Sequence, residues 1–428
     1  MDLDAIVLTG ALSRVRIAGL SAEERAVRVA RRVGAARVTI VGEARGELEA
    51  WRAGRAAPVL VIRADQLVHP PLVSPLVDAR GAAPLTDGLA IAVGPDDEYA
   101  GALLATGERS GAVVAALARG ESDAAIAAGA TARIAHGAIA RHPIATPEDV
   151  RGAHRLLYRI LVKPQDNAIT RYLYRPVSFP LTRLLVWTPI TPNQISYVVA
   201  ALVLLGCWMT AHASANLATA GTAVVLGAAY IDCCDGEIAR LKLMSSRLGA
   251  WLDTVVDELS SVGYMIALGW HCHLAFGRNY YGDLGFDPWL AAIALGIATY
   301  GWSVYCIYYN IIVVVGSANS QDYAGSFDIV PGRQPNSVRL RPAAASASTR
   351  QWPRWLTTLG TCATYLVRRD FISWFALVLA ALHQTRILFI GFTVGGIGTA
   401  LFVTVDHVKL RRVRRSIVRR GQILESAS

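Results

Sequence analysis

The densest concentration of chemically useful side chains runs from residue 232 to residue 257. It reads Asp232-Cys233-Cys234-Asp235-Gly236-Glu237-Ile238-Ala239-Arg240, then eight residues, then Gly249, Asp253 and Asp257. Asp232 and Asp235 stand at i and i+3; Gly249, Asp253 and Asp257 stand at i, i+4 and i+8, so on helices each set shares one face. Two helices joined by the short stretch between them would bring four carboxylates around one point. All-oxygen ligation of that kind suits Mg2+, Mn2+ or Ca2+, hard cations that are commonly presented to substrate phosphates. Gly236 and Gly249 leave room for a ligand to approach the backbone, and the Arg240 guanidinium fits a phosphate. Ion pairing between helices is the plainer reading, but four Asp around a single Arg leave most of the negative charge unanswered. Each unpaired carboxylate in a membrane span would cost about 3 kcal/mol or more.

The elements that must position these groups are apolar. Hydrophobic residues make up 53% of the 428 and charged residues 17%, with a mean hydropathy of +0.37. That balance excludes disorder and a coiled coil and points to a membrane protein. Charge-free stretches of about 20 residues, the length a spanning helix needs, occur only beyond about residue 190. Six spans are predicted, over Asn193–Ala211, Leu217–Ile231, Gly249–Trp270, Trp289–Val315, Phe371–Ala381 and Ile387–Val405, the second and fifth needing extension into their flanks. Residues 1–140 hold 15 Arg, no Lys and 16 Asp or Glu, so the net charge of +10 belongs to the apolar part. Arg240, Lys242 and Arg247, the segment 317–369 and the tail from Lys409 to Arg420 lie on one side of the six spans. By the positive-inside rule both termini face the cytoplasm, in a multi-pass protein of the cell membrane. A basic surface of this kind meets anionic lipid, and no nucleic-acid partner is expected.

Residues 1–145 read as a soluble α/β domain. Ala5–Leu8, Val38–Val41, Pro58–Ile62 and Leu89–Val93 have the Val and Ile content of strands, and Ala22–Val33 and Ser110–Ala118 the spacing of helices. Strand, helix, strand is the rhythm of a parallel sheet. Residues 124–140 are rich in Ala and Gly and carry no periodic signal. Residues 150–190 alternate Arg and Lys with aromatic and aliphatic residues and are predicted to form an amphipathic juxtamembrane helix, with the membrane domain over 191–420. The six cysteines form no C-x-x-C pair, and His271-Cys272-His273 lacks the spacing of a zinc site.

The pattern D-x2-D-G-x2-A-R-x8-G-x3-D-x3-D resembles the signature of the CDP-alcohol phosphotransferases, with every fixed position occupied from Asp232 to Asp257. Thr191-Pro192-Asn193 is similar to the family's opening of its first span. The resemblance implies displacement at the β-phosphorus of a CDP-linked donor by an alcohol or polyol-phosphate acceptor, releasing CMP. It further implies two Mg2+ or Mn2+ ions held by Asp232, Asp235 and Asp253, with Asp257 near a metal and acting as the base. Asn193, Gly236, Ala239, Arg240 and Gly249 would cradle the cytidine diphosphate, and membrane lipid and a homodimer belong to the same picture. The first domain is similar to a nucleotidyltransferase core, and the chain resembles di-myo-inositol-phosphate-phosphate synthase and phosphatidylinositol-phosphate synthase members in which a cytidylyltransferase domain precedes the transferase. Such domains open with L-x-x-G-x-G-x-R, whereas Leu8–Arg14 is one residue short, lacks the second Gly, and no Lys follows before residue 140. The domain is therefore expected to be degenerate, the bifunctional reading standing as its alternative. Glu258 occupies a position where users of inositol phosphate often carry Arg; Arg247, Arg368 and Arg369 remain as candidates for binding a phosphorylated acceptor. A cation or anion transporter is the competing class, since carboxylates at membrane depth also mark ion pathways.

Overall fold

The computed structural model describes residues 2–42, 45–81, 86–162, 168–316, 323–332, 334, 336–343 and 369–425. They divide into two compact units. The first comprises Met1–Asp166, Phe179–Thr191 and Gly236–Met244, and the second Asn167–Ser178, Pro192–Asp235 and Ser245–Ser428.

The first unit is built on a mixed sheet. Its strands are β1 (Leu3–Leu8), β2 (Ala35–Val41), β3 (Val59–Arg63), β4 (Leu89–Val93), β5 (Tyr99–Ala105) and β6 (Ala132–Ala135), in the spatial order β2-β1-β3-β5-β4-β6. The alternation of β1 explains its place at the centre: Leu3, Ala5 and Val7 pack with Ala26, Val29 and Ala30 of helix α1 (Ala22–Arg32). Ile6 and Leu8 pack on the other face with Val113, Val114 and Leu117 of α2 (Glu108–Ala118). Each large aliphatic side chain so buried stabilises the fold by roughly 1.5–3 kcal/mol. Helix α1 starts where Ser21 Oγ accepts the Glu24 N–H at 3.0 Å and Glu24 Oε2 accepts the Ser21 N–H at 2.9 Å, a reciprocal cap.

The four predicted strands and two predicted helices overlap these elements, Pro58 falling one residue before β3 and Val33 one residue after α1. β1, β2 and β3 run parallel as expected, but β5 is antiparallel to both β3 and β4. β5 and β6, with sequences YAGALLA and ARIA, carry too little Val and Ile to be read as strands. The expected single juxtamembrane helix is instead two, α3 (Pro147–Arg159) and α4 (Arg175–Leu185), the latter with Pro180 inside it. Lys163 falls outside the described residues.

Gly236–Met244 of the first unit is the end of a helix that runs from Ala215 to Leu241. Leu243 takes a left-handed conformation (φ 54°) and the Met244 N–H returns to Ala239 O at 2.8 Å, the geometry that closes a helix C-terminus. The last carbonyls are taken by arginines of α1: Arg25 Nη2 donates to Leu241 O at 2.8 Å and to Ile17 O at 3.2 Å, and Arg28 Nη1 donates to Lys242 O at 2.7 Å. Cationic donors at a helix C-terminus also oppose the negative end of its dipole.

The second unit is mainly helical, with a small sheet formed by Phe327–Pro331, Ser337–Pro342 and Ile423–Leu424. α5 (Pro192–Thr210), α6 (Ala215–Leu241), α7 (Arg247–Phe276), α8 (Pro288–Asn310), α9 (Arg369–Ala381) and α10 (Thr385–Arg419) coincide in order with the six predicted spans. By length and composition, four described helices can cross a membrane: α5, α6, α8 continued to Val315, and α10. α7 has 30 residues but carries Asp253, Asp257 and Glu258, and α9 has only 13. Packing is close where glycines meet. A Cβ on Gly221 of α6 would lie 2.6 Å from Gly206 O of α5, and one on Gly269 of α7 would lie 2.5 Å from Ile293 of α8. His271 bonds His212 O and Thr385 Oγ1, and His273 bonds Asp287; their ring nitrogens serve helix packing.

Candidate metal and phosphate site

Asp232 and Asp235 face α7 from the last turns that α6 contributes to the second unit, and Asp253 faces them from α7. One carboxylate oxygen from each lies within 4.8 Å of the others. Three like charges at that spacing repel by roughly 3–4 kcal/mol per pair at an effective dielectric near 20, a cost that a divalent cation with hard oxygen ligands reverses. The donor set therefore fits a hard divalent ion. Asp235 is buried, and Ser196 Oγ of α5 donates to its Oδ2 at 2.6 Å, so three helices fix the cluster.

Asp257 follows Asp253 by one turn of α7 and stands outside the trio. With Asp232 it lines a cavity of about 770 Å³ among the helices of the second unit, whose walls are otherwise largely apolar. Gly249, two turns before Asp257, lies against α5: a Cβ there would stand 3.2 Å from Asn193 Oδ1 and 3.1 Å from Ser246 Oγ. Its N–H already caps α7 through Ser246 Oγ at 2.9 Å. Gly236, Ala239 and Arg240 continue along α6 within the first unit; a Cβ on Gly236 would meet nothing nearer than Arg240 Nη1 at 3.5 Å, which leaves the backbone open there.

Of the candidate acceptor arginines, Arg247 has a described side chain. Arg247 is exposed at the first position of α7, ten residues and about 15 Å of helix from Asp257. Arg369 opens α9 without a described side chain, and Arg368 lies outside the described residues.

Sequence reading passed over Ser196, although it sits one turn after Asn193 on the same face of α5. It also passed over Tyr300 and Tyr308 of α8. Both phenols donate to Glu258, Tyr300 to Oε2 and Tyr308 to Oε1 at 3.3 Å. No spacing signal links α8 to α7, so only the packed structure reveals these partners.

In the first unit the loop after β1 spends its backbone donors locally. The Thr9 N–H donates to Val41 O at 2.8 Å, Gly10 N–H to Ser13 Oγ at 2.8 Å, and Ser13 N–H to Gly10 O at 3.1 Å. Asp65, two residues beyond β3, is forked by Arg63, whose Nε donates to Oδ1 at 3.1 Å.

A carboxylate trio on two adjacent helices, beside a cavity, suits a hard divalent cation of the kind that neutralises phosphate charge. The sequence profile of the CDP-alcohol phosphatidyltransferase family matches residues 189–381, so this segment is similar to that family's domain. The chain is similar to proteins named bifunctional IPC transferase and DIPP synthase. The one from Aquifex aeolicus is 30% identical over 161 residues, covering 37% of this chain and 35% of that protein. The Thermococcus kodakarensis protein is 32% identical over 128 residues, covering 30% and 28%, and the Rubrobacter xylanophilus protein 33% over 139 residues, covering 32% and 31%. The chain thus spans about a third of the length of the curated relatives it matches.

Proposed function

We propose that this protein is a metal-dependent CDP-alcohol phosphotransferase of the cell membrane. It moves a phosphoalcohol group from a CDP-linked donor to an alcohol acceptor and releases CMP. The observation that carries this reading is the convergence of Asp232, Asp235 and Asp253 within 4.8 Å, with Asp257 one turn farther along α7 at the wall of the cavity.

Asp232, Asp235 and Asp253 would hold two Mg2+ or Mn2+ ions, and Ser196 keeps Asp235 turned toward its partners. When bound, such ions neutralise charge on the diphosphate and stabilise the attacking and leaving oxygens of an in-line displacement. Asn193, Gly236, Ala239, Arg240 and Gly249 bind the cytidine diphosphate, the glycines by close backbone approach and Arg240 by its planar fork. Asp257 accepts the proton of the acceptor hydroxyl as the new P–O bond forms at the β-phosphorus and the bond to CMP breaks. The proton stays on Asp257, the electron pair leaves with CMP, and the products are CMP and a phosphodiester.

The six helices α5 to α10 all cross the membrane in this reading, with both termini cytoplasmic, and the protein works as a homodimer. The first unit does not activate CTP. Its β1 loop ties up the Gly10 and Ser13 N–H groups, Arg63 pairs with Asp65, and residues 1–140 hold no Lys to offset a triphosphate. A transporter reading has no use for a cavity that meets the trio only at Asp232, nor for a transferase domain.

The test is CMP release by purified protein from CDP-diacylglycerol and CDP-inositol with a panel of alcohols. Release with Mg2+ or Mn2+ that stops in excess EDTA is the expected result; undiminished release in EDTA removes the metal role.

A further inference from the structure

Glu258 follows Asp257 on α7 and lines the same cavity. Both its oxygens are addressed from α8, Oε2 by the Tyr300 hydroxyl and Oε1 by the Tyr308 hydroxyl. The phenols spend their donors on the carboxylate, so its position is fixed while part of its accepting capacity remains for a ligand. Ser261, one turn on from Asp257, already donates its hydroxyl to Asp257 O at 3.0 Å. Among the described residues lining the cavity there is no Lys, Arg or His. The wall next to Asp257 thus presents two carboxylates and phenol oxygens, a surface that accepts hydrogen bonds from hydroxyls and repels anions.

We propose that Glu258 is a specificity-determining residue that selects an acceptor free of a phosphate monoester near its reacting hydroxyl. The inference rests on the transfer reading and names the acceptor class for that same site. A phosphate monoester carries close to two negative charges at pH 7. Held about 6 Å from a fixed carboxylate at an effective dielectric near 20, even one of those charges is disfavoured about 100-fold. A neutral polyol, or the glycerol end of a lipid whose tail follows the apolar wall, meets only hydrogen-bond acceptors. Arg247 does not offset this charge, standing eleven residues and about 16 Å of helix from Glu258.

The experiment uses the full-length protein and three matched pairs of acceptors: glycerol and glycerol 3-phosphate, myo-inositol and inositol 1-phosphate, phosphatidylglycerol and phosphatidylglycerol phosphate. Each is offered with CDP-diacylglycerol and with CDP-inositol, and kcat/KM is read from CMP release. The wild type is expected to favour the unphosphorylated member of its best pair about 100-fold. Glu258→Gln keeps an oxygen for the phenols and removes the charge, so the preference should narrow at least about 10-fold with thermal stability held. Equal or better use of the phosphorylated member by the wild type overturns the proposal. So does a Glu258→Gln variant that is folded and active with the preference unchanged, because Glu258 is then only a staple between α7 and α8. Absence of CMP release with every pair overturns the transfer reading, and this inference with it, and so is distinguishable from a failure of acceptor selection alone.

Discussion

Replacing Gly221 with alanine tests whether the contact between α5 and α6 sets the geometry of the carboxylate trio. A Cβ there would lie 2.5 Å from Thr210 Oγ1, 2.6 Å from Gly206 O and 2.6 Å from Thr210 N. Two of the three are backbone atoms of α5, which cannot rotate away. Carbon-to-oxygen contacts settle near about 3.3 Å or more, so the helices must part by about 0.7 Å at the crossing. Overpacking of this kind costs typically 1–3 kcal/mol, and a rigid backbone contact belongs at the upper end. The same two helices carry Ser196 and Asp235, whose 2.6 Å hydrogen bond would stretch past normal length if the separation propagates. Displacements of about 1 Å at a reacting centre cost as much as about 100-fold, so Gly221→Ala should lose about 10-fold or more in kcat. Thermal unfolding in detergent should drop in parallel, by about 2–4 °C for each kcal/mol. Gly227 of the same helix is the control, because a Cβ there meets nothing within 4 Å. Gly227→Ala should be neutral or gain up to about 1 kcal/mol from helix propensity. A Gly221→Ala protein with wild-type melting and turnover would refute the argument that this crossing fixes the site.

Other consequences follow from single contacts. Ser196→Ala removes the donor to Asp235 and should raise the Mg2+ concentration needed for half-maximal activity several-fold, read by metal titration of CMP release; an unchanged titration means Ser196 does not orient the ligand. Arg25 is fully buried and its guanidinium is pulled down to about 10 by that burial. Arg25→Met would leave Leu241 O and Ile17 O without it and should cost about 1.5–3 kcal/mol, measured by thermal unfolding, an unshifted melting curve counting against the cap. The His69 imidazole is pushed down to about 4 by burial and by the nearby charges of Arg25 and Arg32. Its folded-state value is depressed, so stability is complete above the unfolded value near 6.5 and is lost as pH falls toward 4, by up to about 3 kcal/mol. His69→Gln should flatten that acid-side decline, and a variant that still loses stability between pH 6.5 and pH 4 as steeply as wild type would assign it elsewhere.

Much of the site was legible because its residues are local. Asp232 with Asp235, and Asp253 with Asp257, are spaced by helix turns, and the short link between α6 and α7 forces the two pairs together. The trio that forms leaves Asp257 out because it stands one turn farther along α7, at the cavity instead of the cluster. Partners brought by tertiary packing left no such trace: Tyr300 lies 42 residues from Glu258 and Ser196 lies 39 from Asp235, and neither distance has a period. In the α/β unit, Val and Ile runs marked β1 to β4. β5 and β6 escaped because small residues pair as strands only when a neighbouring strand supplies the context. The helix expected over 150–190 broke into α3 and α4 since charge alternation reports a wet face, not continuity.

The most direct test of the central claim follows the two products together in wild type and Asp257→Asn. With Mg2+, a CDP-linked donor and the acceptor the wild type uses best, mass spectrometry should find CMP and the new phosphodiester in equal amounts. Asp257→Asn keeps size and much of the hydrogen bonding but cannot take the hydroxyl proton, so it should bind donor with near-normal affinity while turnover falls by about 100-fold or more. Near-normal turnover in that folded variant, or CMP formed without phosphodiester in the wild type, would contradict the account.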